Sequence, residues 1–249
     1  MFRYRSSFAI IPFAIIFFSA CSPSKKIAPV VDVPVVVTAA IPADTIQTDP
    51  FLENLLKANP QYFADVLLHR KEWNTQIIYT QIDRGSNGMP SLKNYYFNVN
   101  PANYFYPAST VKLPVSLLAL QKLNELKEKG IDKHTTMITE TGNSSQTAVY
   151  NDPTSPDGRP TIAQYIKKIL MVSDNDAYNR LYEFLGQEYI NTELHKKGYE
   201  DVQLLHRLQI ALPATENRQT NPVKFLDANN TVLYEQPMQT NAKEYVKRN

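Results

Sequence analysis

The sequence predicts a two-part domain that joins an α/β part to an all-α part, behind a secretory leader and a tether. Three observations predict this fold class. A strand pair around a glycine-containing turn occupies residues 75–99, and a block of helical patterns begins at Ser109. The content of 43% apolar and 20% charged residues is that of a soluble globular protein, and 249 residues fit one domain or a small two-part domain.

The first twenty residues have the layout of a secretory signal. Arg3 and Arg5 precede a run at residues 8–18 that is almost wholly apolar. This run is shorter than the roughly 20 residues that a membrane-spanning helix needs. The letters FSAC that end it resemble a bacterial lipobox, with the sole cysteine, Cys21, at the lipidation position. We therefore expect residues 1–20 to be removed and a lipid on Cys21 to anchor the protein to a membrane, facing the periplasm or the cell surface.

Residues 21–49 are predicted to form a tether. Residues 22–48 contain four prolines and no glycine, a composition that favours an extended chain. The folded domain is expected over residues 50–249. A lone cysteine allows no intramolecular disulfide. The small net charge of +2 gives no indication of a nucleic-acid partner.

Apolar periodicity and turn residues predict the elements of the domain. An amphipathic helix at residues 51–68 is interrupted near Pro60, and strands at 75–82 and 93–99 flank a turn at 84–90. Beyond Pro107 the pattern becomes helical. We predict helices at 109–130, 161–172, 176–186 and 187–197, with polar loops at 141–160 and 212–222.

The sequence Ser109-Thr110-Val111-Lys112 is the first candidate for chemistry. At a helix start, residues three apart share a face, so the Lys112 amine would lie near the Ser109 hydroxyl. Burial and the positive potential of the helix start would lower the pKa of the lysine, and a neutral amine can accept the serine proton. The backbone N–H of Ser109 could bind a developing oxyanion. The alternative is a helix-capping serine beside a surface lysine, because this spacing also arises by chance.

A second candidate, Ser173-Asp174-Asn175, lies between two apolar helical stretches. Alone it is ordinary cap chemistry. Together with the upstream motif it matches the pair that marks class A β-lactamases and penicillin-binding proteins. The neighbouring letters YPASTVK and MVSDNDA also resemble that family, and the resemblance covers roughly residues 50–228. It implies a β-lactamase/transpeptidase-like fold, with the helical part at 109–228 and the sheet built from 50–108 and a C-terminal segment that we expect to be absent.

The resemblance also implies a role for each motif residue. Ser109 would be the nucleophile and Lys112 its activating partner. Ser173 would relay a proton to the leaving nitrogen, and Asn175 would bind the acylamide group of the substrate. Asp174 would tie loops together as a structural residue.

Other positions follow or depart from the family pattern. Tyr150 is expected at the mouth of the pocket. The family's third motif, Lys-Thr-Gly, is absent, so we expect the C-terminal strands to be missing from the chain. Arg207 matches the family's loop arginine, which leaves Gln209 near the position of the deacylating glutamate, with Glu216 later in the loop. A neutral Gln cannot act as a general base, which places deacylation in doubt.

The sequence therefore predicts a monomeric serine acyl-hydrolase that opens β-lactams through a Ser109 acyl-enzyme, without metal or cofactor. One alternative is a peptidoglycan peptidase that acts on D-Ala-D-Ala-like peptides. Another is a truncated, non-catalytic domain that binds cell-wall peptide. A Ser-His-Asp triad has little support because the histidines are scattered. They are His69, His134, His195 and His206.

Overall fold

A computed structural model describes residues 46–245 of the chain, so the predicted leader, Cys21 and most of the tether lie outside the described residues. The helices are α1 (Pro50–Lys57), α2 (Pro60–Leu68), α3 (Lys112–Glu125), α4 (Ile162–Val172), α5 (Asn175–Leu185), α6 (Gln187–Lys196) and α7 (Ala214–Asn217). The strands are β1 (Ile77–Arg84), β2 (Pro90–Phe97), β3 (Thr136–Thr139), β4 (Val223–Leu226) and β5 (Val232–Gln236). Across residues 46–245, no helix combines the length and apolar character that crossing a bilayer requires.

Residues 46–99, which we call the hairpin region, contain α1, α2 and an antiparallel pair of strands. Pro50 and Pro60 each open a helix, where a missing N–H costs nothing, and this explains the predicted interruption. Strands β1 and β2 pair from Ile77 with Phe97 to Arg84 with Pro90. The buried apolar core of the region is small. It consists of Leu52, Leu56 and Phe97.

Residues 112–236, which we call the helical block, hold the main core. Helix α3 packs against α4, α5 and α6, and α5 is buried along nearly its whole length. The predicted helices at 161–172, 176–186 and 187–197 correspond closely to α4, α5 and α6. The largest fully buried side chains of this core are Tyr165, Tyr178, Tyr182, Phe184, Phe225, Met137 and Ile162.

The helical block also contains a three-stranded antiparallel sheet in the order β3-β4-β5. This corrects the expectation that residues 109–228 are purely helical and that, within the chain, the strands come only from residues 50–108. The strands were missed because β3 and β4 have only four residues each, too few to establish a period of two. In β4 the alternation is nevertheless present, since Val223 and Phe225 are fully buried.

Candidate active site

The segment that leads into α3 positions the first motif. The predicted helix start is displaced, because Ala108–Val111 form a short 3-10 helix and α3 begins at Lys112. Thr110 fixes this turn through its backbone N–H and its hydroxyl, which both donate to the Pro107 carbonyl at 3.1 and 2.7 Å. Ala108, directly before Ser109, has a φ of 46°, a left-handed conformation that costs an L-residue energy. Such outliers concentrate at functional sites.

The second motif forms the junction between α4 and α5. Ser173 ends α4 in the left-handed conformation with a φ of 55°. Asp174 caps α5, since its Oδ1 accepts from the Ala177 N–H at 2.9 Å. The turn therefore directs Ser173 and Asn175 towards the start of α3, and the sharp change of direction depends on both the positive φ and the cap.

The structure brings four of the predicted site residues together. Lys112 Nζ lies 3.3 Å from Ser109 Oγ, 2.9 Å from Ser173 Oγ and 2.5 Å from Asn175 Oδ1. It also donates to the Ser173 carbonyl. The Ser173 hydroxyl donates to Ser109 Oγ at 3.2 Å. A chain of contacts thus joins the serine hydroxyls and the amine, and the Ser109 side chain lies on the exposed side of the cluster.

Lys112 is buried, with 3% of its surface exposed, and the four atoms that it contacts are neutral oxygens. Burial lowers the pKa of Lys112, and the charge of Asp174 opposes this effect. An ammonium can donate hydrogen bonds to these oxygens, whereas a neutral amine has a lone pair that can accept the Ser109 proton. Burial therefore favours the neutral amine, while the oxygen contacts and the charge of Asp174 favour the ammonium.

Two residues that the sequence analysis did not single out support the junction. Lys168 of α4 lies 3.3 Å from Asp152 Oδ2 and 3.8 Å from Asp174 Oδ2. Asp152 is buried in the 141–160 loop, where it accepts from the backbone and the hydroxyl of Thr154. Lys168 therefore connects this loop to the second motif through charge.

A buried ion network fixes the loop at residues 201–217. Glu183 of α5 accepts from Arg207 Nε at 3.0 Å and from Arg180 Nη1 at 3.1 Å. Arg207 also donates to the Gln219 carbonyl at 2.8 Å, so it ties the loop to the residues that follow it. Arg180 donates to Thr147 in the opposite loop. The single carboxylate of Glu183 thus joins two loops to one helix.

The loop also places the two deacylation candidates. The Asn179 side chain binds the N–H and the carbonyl of Leu208 at 2.8 and 3.0 Å. Gln209 follows in the left-handed region with a φ of 60°, and its side chain is exposed. Glu216 lies on α7 and is half-buried. The structure therefore fixes the backbone beside Gln209, and it shows no hydrogen bond from Gln209 or Glu216 to Ser109 within residues 46–245.

Tyr150 lies outside the hydrogen-bonded cluster around Lys112. Its side chain is 61% exposed on the loop that follows the Thr139–Val149 bridge. A cavity of about 990 Å³ lies beside the first motif, and its wall includes Tyr106, Ala108 and Thr110, but neither Tyr150 nor any of the four clustered residues. In the described part of the chain, no three His, Cys, Asp or Glu side chains gather as a metal site requires.

One sequence signal could have revealed the ion network. Asp176, Arg180 and Glu183 follow one another at spacings of four and three, which places them on one face of α5. Arg180 indeed pairs with both carboxylates. The partnership with Arg207 had no such signal, because those residues are distant in sequence and only folding brings them together.

Comparison with known proteins agrees with the motifs. A family model described as the beta-lactamase enzyme family matches residues 61–247, more than half of the chain. Neither the curated proteins nor the solved structures contain a match.

Proposed function

The chain belongs to the beta-lactamase enzyme family, and from this premise we propose that it is a serine acyl-hydrolase of the class A type. In this proposal it opens β-lactams through an acyl-enzyme at Ser109. Family membership supports β-lactamase-like serine hydrolase chemistry in general. The class A assignment and the acyl-enzyme rest on the residues of the site.

The observation that carries the proposal is the contact of a buried lysine amine with two serine hydroxyls. In the acylation step, Ser109 Oγ attacks the lactam carbonyl carbon while the neutral Lys112 amine takes its proton. The backbone N–H of Ser109 binds the oxyanion that forms. The ring C–N bond then breaks, and Ser173 passes a proton to the leaving nitrogen. Asn175 orients Lys112 and binds the acylamide group of the substrate. Tyr150 borders the mouth of the substrate pocket.

Deacylation is proposed to be slow. Hydrolysis of the acyl-enzyme needs a base that activates water, and a carboxamide such as that of Gln209 cannot take a proton. Glu216 carries a carboxylate but lies on α7, where its carbonyl accepts from Arg207 at 3.4 Å. The acyl-enzyme should therefore persist after β-lactam ring opening.

This slow step favours a second candidate, a peptidase that acts on D-Ala-D-Ala-like peptides of the cell wall. Both substrates acylate the serine through the same steps, so the site geometry supports either. The two functions differ in which substrate turns over repeatedly. Steady-state hydrolysis of nitrocefin and of a D-Ala-D-Ala peptide by the same preparation separates them.

The test of the nucleophile is covalent labelling with a fluorescent penicillin, followed by peptide mapping. We expect the label on Ser109, no label on S109A and strongly slowed labelling of K112A. The matched control is S144A, because Ser144 is an exposed serine outside the cluster and its loss should leave labelling unchanged. Label that remains on S109A would overturn the site assignment.

We also propose that the mature protein begins at lipidated Cys21, is anchored to the membrane and is a monomer. The support is the basic, apolar and small-residue pattern that ends at the only cysteine. Mass spectrometry of the mature N-terminus tests the lipid, and C21S should release the protein from the membrane fraction. An unmodified Cys21, or cleavage elsewhere, would contradict the anchor.

A further inference from the structure

We propose that Lys168 is a positioning residue for acylation, because its ammonium compensates the Asp174 carboxylate and so prevents that carboxylate from holding Lys112 in its charged form. This inference rests on the proposed function, in which Lys112 is the base for Ser109. It assigns an electrostatic role to a residue of α4 that touches neither Ser109 nor Lys112.

The geometry places Lys168 between two carboxylates. Its Nζ lies 3.3 Å from Asp152 Oδ2 and 3.8 Å from Asp174 Oδ2, with side-chain exposures of 23%, 4% and 26% for Lys168, Asp152 and Asp174. Asp152 is fixed by Thr154, whose backbone N–H and hydroxyl donate to it at 2.9 and 2.6 Å. The buried Asp152 therefore holds the Lys168 ammonium beside Asp174. Because these groups are partly buried, solvent screens them less than it screens a surface pair.

Asp174 is the charge that matters for the base. It lies between Ser173 and Asn175, which both bind Lys112 Nζ. Its field raises the pKa of Lys112, against the larger effect of burial, which lowers it. The Asp174 carboxylate therefore opposes the neutral form of Lys112 that the proposed acylation uses.

The other elements packed on the start of α3 contribute charges that are paired. Helix α5 carries Asp176, which accepts from Arg180 at 2.8 Å, and Glu183, which lies between Arg180 and Arg207. The 3-10 helix at 108–111 has the letters ASTV and carries no charge. Helix α4 contributes Lys168 itself.

Helix α6 meets α3 towards its other end. There Glu193 accepts from Gln121 at 2.7 Å and pairs with Lys196 at 2.8 Å. Its charge is thus offset locally, and Gln121 is more than two helical turns away from Lys112. Among the described charges, Lys168 and Asp174 are therefore the pair placed to change the pKa of Lys112.

Loss of the Lys168 charge should act on Lys112 through Asp174. It frees the Asp174 carboxylate to attract the protonated amine, which raises the pKa of Lys112. For partly exposed groups we expect a shift of about half a unit to one unit, smaller than for a direct contact.

The experiment follows the rate of covalent penicillin labelling against pH for the whole chain and for K168Q, K168R and K167Q. In K168Q we expect the midpoint of the acidic limb to move up by about half a unit to one unit, with an unchanged rate on the high-pH plateau. K168R keeps the charge and should retain the original midpoint. K167Q removes an equal charge from an exposed neighbour on α4, and its midpoint should also stay in place.

A second measurement reports on Lys112 without any reaction. The ¹³C shift of the labelled lysine side chain, assigned with K112R, gives its pKa directly in wild type and K168Q. If the wild type is never labelled at Ser109, the proposed function fails, but this titration still decides the role of Lys168. A Lys112 pKa that is the same in wild type and K168Q would overturn the inference, and so would a K168Q profile that coincides with that of K167Q.

Discussion

The hairpin region and the helical block differ most in how completely they bury their apolar side chains. The hairpin region has a core of three buried apolar residues, whereas that of the helical block has twenty. In the hairpin, Ile78, Ile82 and Leu92 are each 59% exposed. In α5, every residue from Ala177 to Leu185 is buried. The candidate site depends on the better-packed part, because α3, α4 and α5 fix its side chains.

This difference shows which part of the molecule can hold the side chains of the candidate site in fixed positions. A hydrogen-bonded cluster at separations near 3 Å needs supports that do not move, and close packing supplies them. A two-stranded hairpin with a small core opens more easily, since local stability follows the number of buried apolar contacts. Four tests probe the comparison, in order of decreasing expected effect.

The largest effect is expected from E183Q. It leaves Arg180 and Arg207 buried without the carboxylate that joins them, and breaking a buried ion pair in this way costs about 3–5 kcal/mol of unfolding free energy. Urea unfolding of wild type and variant measures the loss. The control is E200Q, which removes the same charge from an exposed residue. Equal stability of the two variants would show that the ion network does not anchor the helical block.

A matched pair of leucines compares the two cores directly. L181A should lower the global unfolding free energy by about 2–5 kcal/mol, because it opens a cavity in the main core, where Leu181 is fully buried. L56A changes the same side chain in the hairpin region. We expect it to speed amide hydrogen exchange over residues 77–97 and to leave exchange in α5 nearly unchanged. If L56A accelerates exchange in α5 as much as in β1, the two regions unfold as one unit.

Lys122 should make the free energy of unfolding of the helical block depend on pH. It donates to the Phe184 carbonyl and to Gln236 Oε1, and burial lowers the pKa of Lys122 from 10.5 to about 8. Between these values the unfolded chain binds more protons, so the unfolding free energy should rise with pH from about 8 to 10. The rise is at most about 3 kcal/mol.

The measurement is urea unfolding at several pH values, compared with K122M. Buried tyrosines such as Tyr165, whose pKa is raised by burial, act in the opposite sense above pH 10. The difference between wild type and variant isolates the lysine. A difference that stays constant from pH 7 to 10 would contradict a depressed pKa for Lys122.

The smallest effect is expected from I82T on the exposed face of the hairpin. Threonine keeps the preference for strand, and the Ile82 side chain buries little surface. The free energy of unfolding should therefore change by less than about 0.5 kcal/mol. Thermal unfolding measures this change. Light scattering should show less self-association, because the substitution removes an apolar group from the exposed face of the hairpin. I190T is the contrast, since Ile190 is fully buried in the helical block. A large loss for I82T would mean that this face is packed in solution.

Local sequence patterns determined much of the fold and located the candidate site. The periodicity of apolar residues located α4, α5 and α6 to within a few residues, because their buried faces are long enough to repeat several times. The spacing of Ser109 and Lys112 predicted their contact, since three residues span one helical turn. The motif at 173–175 was identified by its letters and by the helices on either side.

Only the tertiary structure decided how these parts meet. The contact between Lys112 and Asn175 joins residues 63 positions apart, and no local preference encodes it. The strands β3 to β5 were too short to show a period, so their pairing appeared only in the folded chain. The ion pairs that support the site were also decided by the tertiary structure. Lys168 and Glu183 are ordinary helical residues in the sequence. Packing brings Glu183 and two guanidinium groups together in a low-dielectric interior, where unpaired charges are too costly to remain, and it places the partly exposed Lys168 beside Asp152 and Asp174.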